Sequence, residues 1–239
     1  MKNTLSNSVI FCPKCKSNHN KKNGFRRGKQ CYLCKNCGRQ FVLNPTSQAY
    51  SEAVKQLCLK MYLNGMGFRG IARVTEIPHS TIITWVKLAG ENISDELSPQ
   101  EEIPEITEID ELQTFVGNKK NKVWIWTVVN HWKEGILLWN IGDRSSKTFE
   151  PLWQIIRCWH SFWYVTDGWV VYPTYISPED HLVSKTYMTR VEGENTRLRH
   201  YLARLHRKTL CYSKSLEMLK YSIKLLRYYL KHKSVPVFV

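Results

Sequence analysis

No stretch of this chain reaches eighteen consecutive uncharged apolar residues, which excludes an ordinary membrane-spanning helix. The opening residues Met1-Lys2-Asn3-Thr4-Leu5 lack the apolar core of a signal peptide, so neither insertion nor export is indicated and the cytoplasm is the expected place. Acids are missing from residues 1–51, which hold ten Lys or Arg, and bases are missing from residues 88–118. Residues 190–233 then carry twelve bases against three acids. Two basic ends therefore bracket an acidic middle, and the absence of any internal repeat or low-complexity tract excludes a repeat architecture.

What is present fits a folded protein. A chain of 239 residues with 43% apolar and 12% aromatic content has room for one large domain or two to three small ones with packed cores. A net charge of +15 points to a polyanionic partner, a signature shared by ribosomal, membrane-surface and nucleic-acid-binding proteins.

The basic N-terminus contains two C-x-x-C pairs, Cys12/Cys15 and Cys34/Cys37, with eighteen residues between them. Four thiolates at that spacing can close tetrahedrally on one zinc ion. The competing arrangement is two disulfides, which a reducing compartment disfavours. Cys31 and His19 lie near in sequence but outside either pair. Between the pairs, Lys21, Lys22, Arg26, Arg27 and Lys29 read as a basic hairpin with Asn23-Gly24 at or near its turn, suited to phosphate contacts. Residues 1–45 are thus expected to form a zinc-ribbon module whose core is too thin to hold without metal.

Residues 46–98 read as a second small domain. Ser51 can cap a helix to about Leu63, Phe68 to Val74 makes a shorter one, and Pro78 opens a third with Ile82, Ile83, Trp85 and Val86 inward. His79, Ser80, Thr81, Thr84 and Lys87 then face outward. A short helix, a tight turn and a helix with small polar residues at its start is the helix-turn-helix arrangement, although three-helix bundles without ligands share the pattern. The acidic run over 91–111, with Pro99 and Pro104, reads as an inter-domain linker.

Residues 99–239 read as mixed α/β. Strand patterns cover 106–116, 123–130 and 135–141, a meander, followed by a helix capped by Ser145 or Ser146, a strand over 162–166, a short piece near His181–Val183, and helices opening near Glu192 and Ser213. Three carboxylates stand on separate elements. Asp110 lies within the first strand, Asp167 ends the later strand before Gly168, and Glu192 opens a helix that carries Arg199 two turns on. Their mutual repulsion would cost several kcal/mol unless a divalent cation holds them together, and two such ions about 4 Å apart can drive phosphodiester chemistry. Glu194 competes with Glu192 as the third ligand.

The runs Asp110-Glu111-Leu112-Gln113-Thr114-Phe115-Val116-Gly117, Thr166-Asp167-Gly168-Trp169 and Arg190-Val191-Glu192-Gly193-Glu194-Asn195 resemble transposases of the insertion-sequence-one family. So do Leu202-Ala203-Arg204-Leu205 and Lys208-Thr209-Leu210-Cys211-Tyr212-Ser213-Lys214-Ser215, and the resemblance covers most of the chain. The resemblance implies a ribonuclease H-like catalytic domain preceded by the zinc ribbon and helix-turn-helix. It also implies an Asp110, Asp167, Glu192 triad binding magnesium or manganese, with Arg199 on DNA. Twenty-four residues separate Asp167 from Glu192, as that family's pattern asks. The expected activity is cleavage of double-stranded DNA at the element's terminal inverted repeats and transfer of the freed 3′-hydroxyl to a target. The protein would assemble as a homo-oligomer on DNA, in association with a prokaryotic nucleoid. The alternatives are a non-catalytic DNA-binding repressor of the element and a nuclease that hydrolyses without strand transfer.

Overall fold

The computed structural model describes residues 9–26, 28–43, 50–94 and 103–237. Arg27, and residues 95–102 of the expected acidic linker, lie outside the described residues. The chain divides into two compact units, Met1–Ala49 and Tyr50–Val239.

The first unit is a three-stranded antiparallel sheet in the order β1-β2-β3, with β1 at Asn20–Arg26, β2 at Lys29–Cys34 and β3 at Gln40–Val42. The basic hairpin closes where Arg26 pairs with Lys29, next to Gly28 at φ +75°. Asn23-Gly24 does not make the turn. It sits where the register slips between Lys22 and Phe25, with Gly24 at φ +71°, so its left-handed backbone serves a bulge instead.

The second unit is built on a five-stranded mixed sheet. Strands β4 (Ile106–Phe115), β5 (Lys122–Asn130) and β6 (Ile136–Gly142) form the expected antiparallel meander, and β7 (Trp163–Thr166) and β8 (His181–Val183) extend it in parallel. The order across the sheet is β6-β5-β4-β7-β8. Side chains alternate between two cores. Ile109, Trp126, Val128 and Leu138 meet Phe149, Leu152 and Ile156 of α4 (Ser146–Ile156). The opposite face, with Leu112, Val123 and Ile125, meets α5 (Thr189–Tyr201) and α6 (Leu216–His232). Asp143 sets the start of α4: its Oδ1 accepts from the Ser145 backbone at 3.2 Å, the Ser145 hydroxyl at 2.5 Å and the Thr148 hydroxyl at 2.5 Å, and these bonds hold its carboxyl below the usual range.

Helices α1 (Glu52–Leu63), α2 (Phe68–Thr75) and α3 (His79–Glu91) complete this unit. Ser51 caps α1, its side chain accepting from the Val54 amide at 3.4 Å. The sequence suggested a boundary near residue 98, but these helices share one core with α6. Leu59, Leu63, Ile71, Ile82 and Val86 bury against the cluster that contains Leu219, Ile223 and Leu226. Tyr62 bonds Ser222 at 2.7 Å, and a Cβ at Gly90 would lie 2.5 Å from Tyr221 Cβ, so α3 and α6 cross at a distance only glycine permits. The apolar stripe of α6 is broad enough to serve sheet and helices at once, which periodicity alone does not reveal. Among the described residues no helix is long and apolar enough to cross a membrane.

Candidate functional site

The four paired cysteines converge. Cys12 and Cys37 sulfurs lie 3.6 Å apart, Cys15 and Cys34 sulfurs 3.5 Å apart, and all four ligand atoms fall within 4.8 Å of one another. Zinc–sulfur bonds of about 2.3 Å demand about 3.8 Å between sulfurs, so the set fits a zinc ion. Every cysteine of the described chain is a free thiol, and Cys31 and His19 stand outside the cluster. Each pair sits on a tight turn, closed by Lys16 N–H to Cys12 O at 2.9 Å and Gly38 N–H to Cys34 O at 3.0 Å. Burial raises the Cys12 thiol, but hydrogen bonds from the Cys15 and Lys14 backbone and from the Cys37 and Cys15 side chains together bring it down to about 6. Against the Ser17 backbone bond, burial and the thiols of Cys37, Cys34 and Cys12 push Cys15 up to about 12, so the four sulfurs share their protons as one cluster. On the ribbon beside it, Lys21, Lys22 and Arg26 are exposed and Lys29 is half-buried.

On α3, His79, Ser80 and Thr84 are exposed, whereas Thr81 and Lys87 are half-buried. Thr84 donates to the Ser80 carbonyl at 3.0 Å. Lys87 stands apart from the others, because its ammonium pairs with Glu217 at 3.5 Å and Glu91 at 3.8 Å, tying α3 to α6.

The three acids sit on the elements named for them. β4 and β7 run parallel, with Glu108 opposite Val165, so two residues further on Asp110 and Asp167 emerge from neighbouring strands. Glu192 is exposed in the first turn of α5. Burial pushes the Asp110 carboxyl up, and the charges of Asp167 and Glu192 push it further. The three therefore share one field, although among the described residues only the cysteines gather their ligand atoms within 4.8 Å. Asn195, three residues beyond Glu192 on the same helical face, donates to Asp110 Oδ2 at 2.8 Å. Thr127 fixes the orientation of that amide by donating to its oxygen at 3.0 Å. Arg199, half-buried at the far end of the same face, donates to the Leu205 carbonyl at 3.1 Å. Burial and then Arg207 lower its pKa, while the charge of Asp110 opposes both.

Glu194 turns the other way. It is buried, accepting from the Gly135 amide at 2.9 Å and from Arg197 at 2.8 Å, and two helical positions place it about 200° around α5 from Glu192. His181 bonds Thr166 at 2.8 Å, a structural role between β7 and β8.

Sequence reasoning missed a second layer. Glu108, fully buried, pairs with His131 and accepts from the Val191 amide at 2.7 Å, which docks the start of α5 onto β4 one residue before Glu192. On the opposite sheet face Glu111 is raised to about 7 by burial, against hydrogen bonds from Tyr172 at 2.5 Å and Arg144 at 2.6 Å. Arg144 also approaches Asp167 at 3.7 Å and lies 3.6 Å over the Trp169 ring and 4.6 Å from that of Trp124. The alternation Glu108, Asp110 along one strand was a usable signal for the first of these groups; the others come from distant segments and left none.

The Asp167 turn itself is constrained. Asp167 Oδ1 accepts from the Trp169 amide at 2.9 Å, and Gly168 holds φ +78° with its would-be Cβ 2.6 Å from Val183 Cγ1. Gly168→Ala is accordingly expected to destabilise the protein by about 1–3 kcal/mol, read as a shift in the denaturant midpoint at unchanged slope.

Comparison with known proteins bears on the stretch that carries these acids. The family model described as IS1 transposase matches residues 105–235. Insertion element IS1 9 protein InsB of Escherichia coli K12 is 28% identical over 141 residues, covering 59% of this chain and 84% of that protein. Insertion element IS1 2 protein InsB of the same strain is 30% identical over 131 residues, covering 55% and 78%, and the InsB protein of Haemophilus ducreyi is 28% identical over 141 residues, covering 59% and 84%. With more than half of its length matched by that model, the chain belongs to the IS1 transposase family.

Proposed function

We propose that this protein is a DDE transposase that cuts DNA at the terminal inverted repeats of its own element and joins the freed 3′-hydroxyl to target DNA. The observation that carries the proposal is the common field of Asp110, Asp167 and Glu192, borne on two parallel strands and one helix, with Arg144 3.7 Å from Asp167 and Arg199 feeling the charge of Asp110. Strand order β6-β5-β4-β7-β8, with an antiparallel meander extended by two parallel strands, supports a ribonuclease H-like domain. A divalent cation held there, magnesium or manganese, would activate the attacking oxygen and stabilise the leaving one. In this reading Asp110, Asp167 and Glu192 are its ligands. Asn195 is a positioning residue that fixes the Asp110 carboxylate through its Oδ2. Arg199, at the far end of the same helical face, holds the DNA backbone.

DNA would be held by two further contacts. Zinc on Cys12, Cys15, Cys34 and Cys37 would hold the ribbon, so that Lys21, Lys22, Arg26, Arg27 and Lys29 meet phosphates. His79, Ser80, Thr81 and Thr84 would read base edges, with Lys87 at the rim. Protomers would assemble as a homo-oligomer on the DNA, because two element ends must be brought together for one insertion.

A pair of variants tests the third ligand. Glu192→Gln is expected to suppress cleavage of a duplex bearing the element end, while Glu194→Gln, which keeps an acceptor for Gly135 and Arg197, leaves cleavage within about tenfold of wild type. The reverse pattern would mean that the ligand is misassigned, and full activity in both would remove the protein from this class of enzyme.

A further inference from the structure

On the face of α5 turned away from Glu192, a cavity of about 410 Å³ opens between α5, α6 and the turn joining β5 to β6. Five cations line it, Lys133, Arg197, Arg227, Lys231 and Lys233, against two carboxylates, Glu134 and Glu194. Both acids are engaged by Arg197, at 3.2 Å and 2.8 Å. A second cavity of about 240 Å³ continues from it along the edge strand β6, sharing Arg227 and adding Lys220 and Lys224. Lys220, Lys224, Arg227 and Lys231 follow one another at four, three and four residues, which is one face of α6. Arg227 clamps that face to the edge strand by donating to the carbonyls of Ile136 at 3.1 Å and Leu137 at 3.0 Å.

We infer that this groove seats the phosphate backbone of a duplex DNA segment other than the one presented to Asp110, Asp167 and Glu192. Eleven residue rises of helix span about 16 Å, the axial length of about five base pairs at about 3.4 Å each, so the row is long enough to follow a stretch of duplex backbone rather than a single phosphate. A small anion would fill one cavity and leave the cations of the other unused, whereas a continuous polyanion uses both cavities. The side chains are lysine and arginine against carbonyls of a strand edge, with no built pattern for reading bases, which suits contact without sequence preference. Because Glu194 borders the groove and Glu192 faces about 200° away, DNA in the groove and DNA at the carboxylates lie on different sides of α5. The inference rests on the proposed strand transfer, a reaction that needs two DNA segments on one assembly.

Two measurements on the full-length protein test it. In the first, the protein is bound to an immobilised duplex and the capture of a second, labelled duplex of unrelated sequence is counted. Combining Lys220→Gln, Lys224→Gln and Lys231→Gln is expected to lower capture at least tenfold while protein retained on the first duplex falls less than threefold. In the second, acetylation of individual lysines in the unaltered protein is followed by mass spectrometry with and without duplex. Lys220, Lys224 and Lys231 are expected to be protected several-fold, the protection fading between about 50 and 200 mM salt, while Lys147 on α4 stays equally reactive. Protection of Lys21 and Lys22 without any at Lys220, Lys224 or Lys231, or undiminished capture by the triple variant, overturns the groove and leaves DNA binding by the ribbon standing. A wild-type chain that retains no duplex at all contradicts the functional reading, and the groove with it.

Discussion

Asp167→Asn is expected to lower DNA cleavage by on the order of 10³–10⁴-fold, the scale lost when one member of a group acting as a unit is removed. The amide keeps the shape of the carboxyl and its acceptor toward the Trp169 amide, so the turn at Gly168 stays folded. What it removes is charge, and hard divalent cations need anionic oxygen. Asp110→Asn should behave alike, since Asn195 still finds an oxygen to bond while one of the three charges is lost. Binding of the element end should persist in both variants, because the ribbon and α3 are untouched. Rates of nicking on an end-bearing duplex, measured beside binding to the same duplex, separate the two effects. Parallel loss of binding and cleavage would place Asp167 in the fold rather than in the chemistry.

Replacing Cys34 and Cys37 together by Ser should abolish zinc binding and unfold the first unit. Among its described residues the buried apolar side chains are Cys12, Cys31 and Cys34, so little besides the metal site holds the sheet together. A structural zinc ion contributes about 10–16 kcal/mol of apparent binding free energy at neutral pH, far more than such a core supplies. The second unit has its own two cores and should keep its thermal transition. Metal content by emission spectroscopy and the melting profile of the full chain check both halves of the expectation. One zinc per chain in the double variant would move the ligands elsewhere.

Much of the architecture was legible because it depends on local periodicity. The meander, the strand that ends at Asp167 and the helix that starts before Glu192 follow from alternating and 3.6-residue patterns, and the two C-x-x-C pairs announce a four-thiol cluster by spacing alone. The remainder is non-local. Asn23-Gly24 was expected at the hairpin turn or near it because that dipeptide suits a turn, and cross-strand register puts it near, in a register shift four residues before the turn beside Gly28. The helices over 50–94 read as a domain of their own because nothing in their sequence says that α6, more than 120 residues later, completes their core. The support of the acidic site was equally hidden. Asn195, Thr127, Glu108, Arg144 and Tyr172 come from five different elements or loops, and each looks ordinary until the fold brings it to its partner. Glu194 illustrates the converse, since helix geometry alone turns it about 200° from Glu192, and the fold adds only what it meets there, the Gly135 amide and Arg197.

The central claim is that the protein breaks and joins DNA with divalent metal at Asp110, Asp167 and Glu192. Its most direct measurement uses purified full-length protein, a supercoiled plasmid carrying the cognate element ends, and magnesium, with the products resolved by gel. Nicks at the element ends together with joined products, present with magnesium or manganese and absent with chelator, are the predicted result. An intact plasmid under all metal conditions, from protein that still binds the ends, would contradict it and leave a DNA-binding repressor in its place.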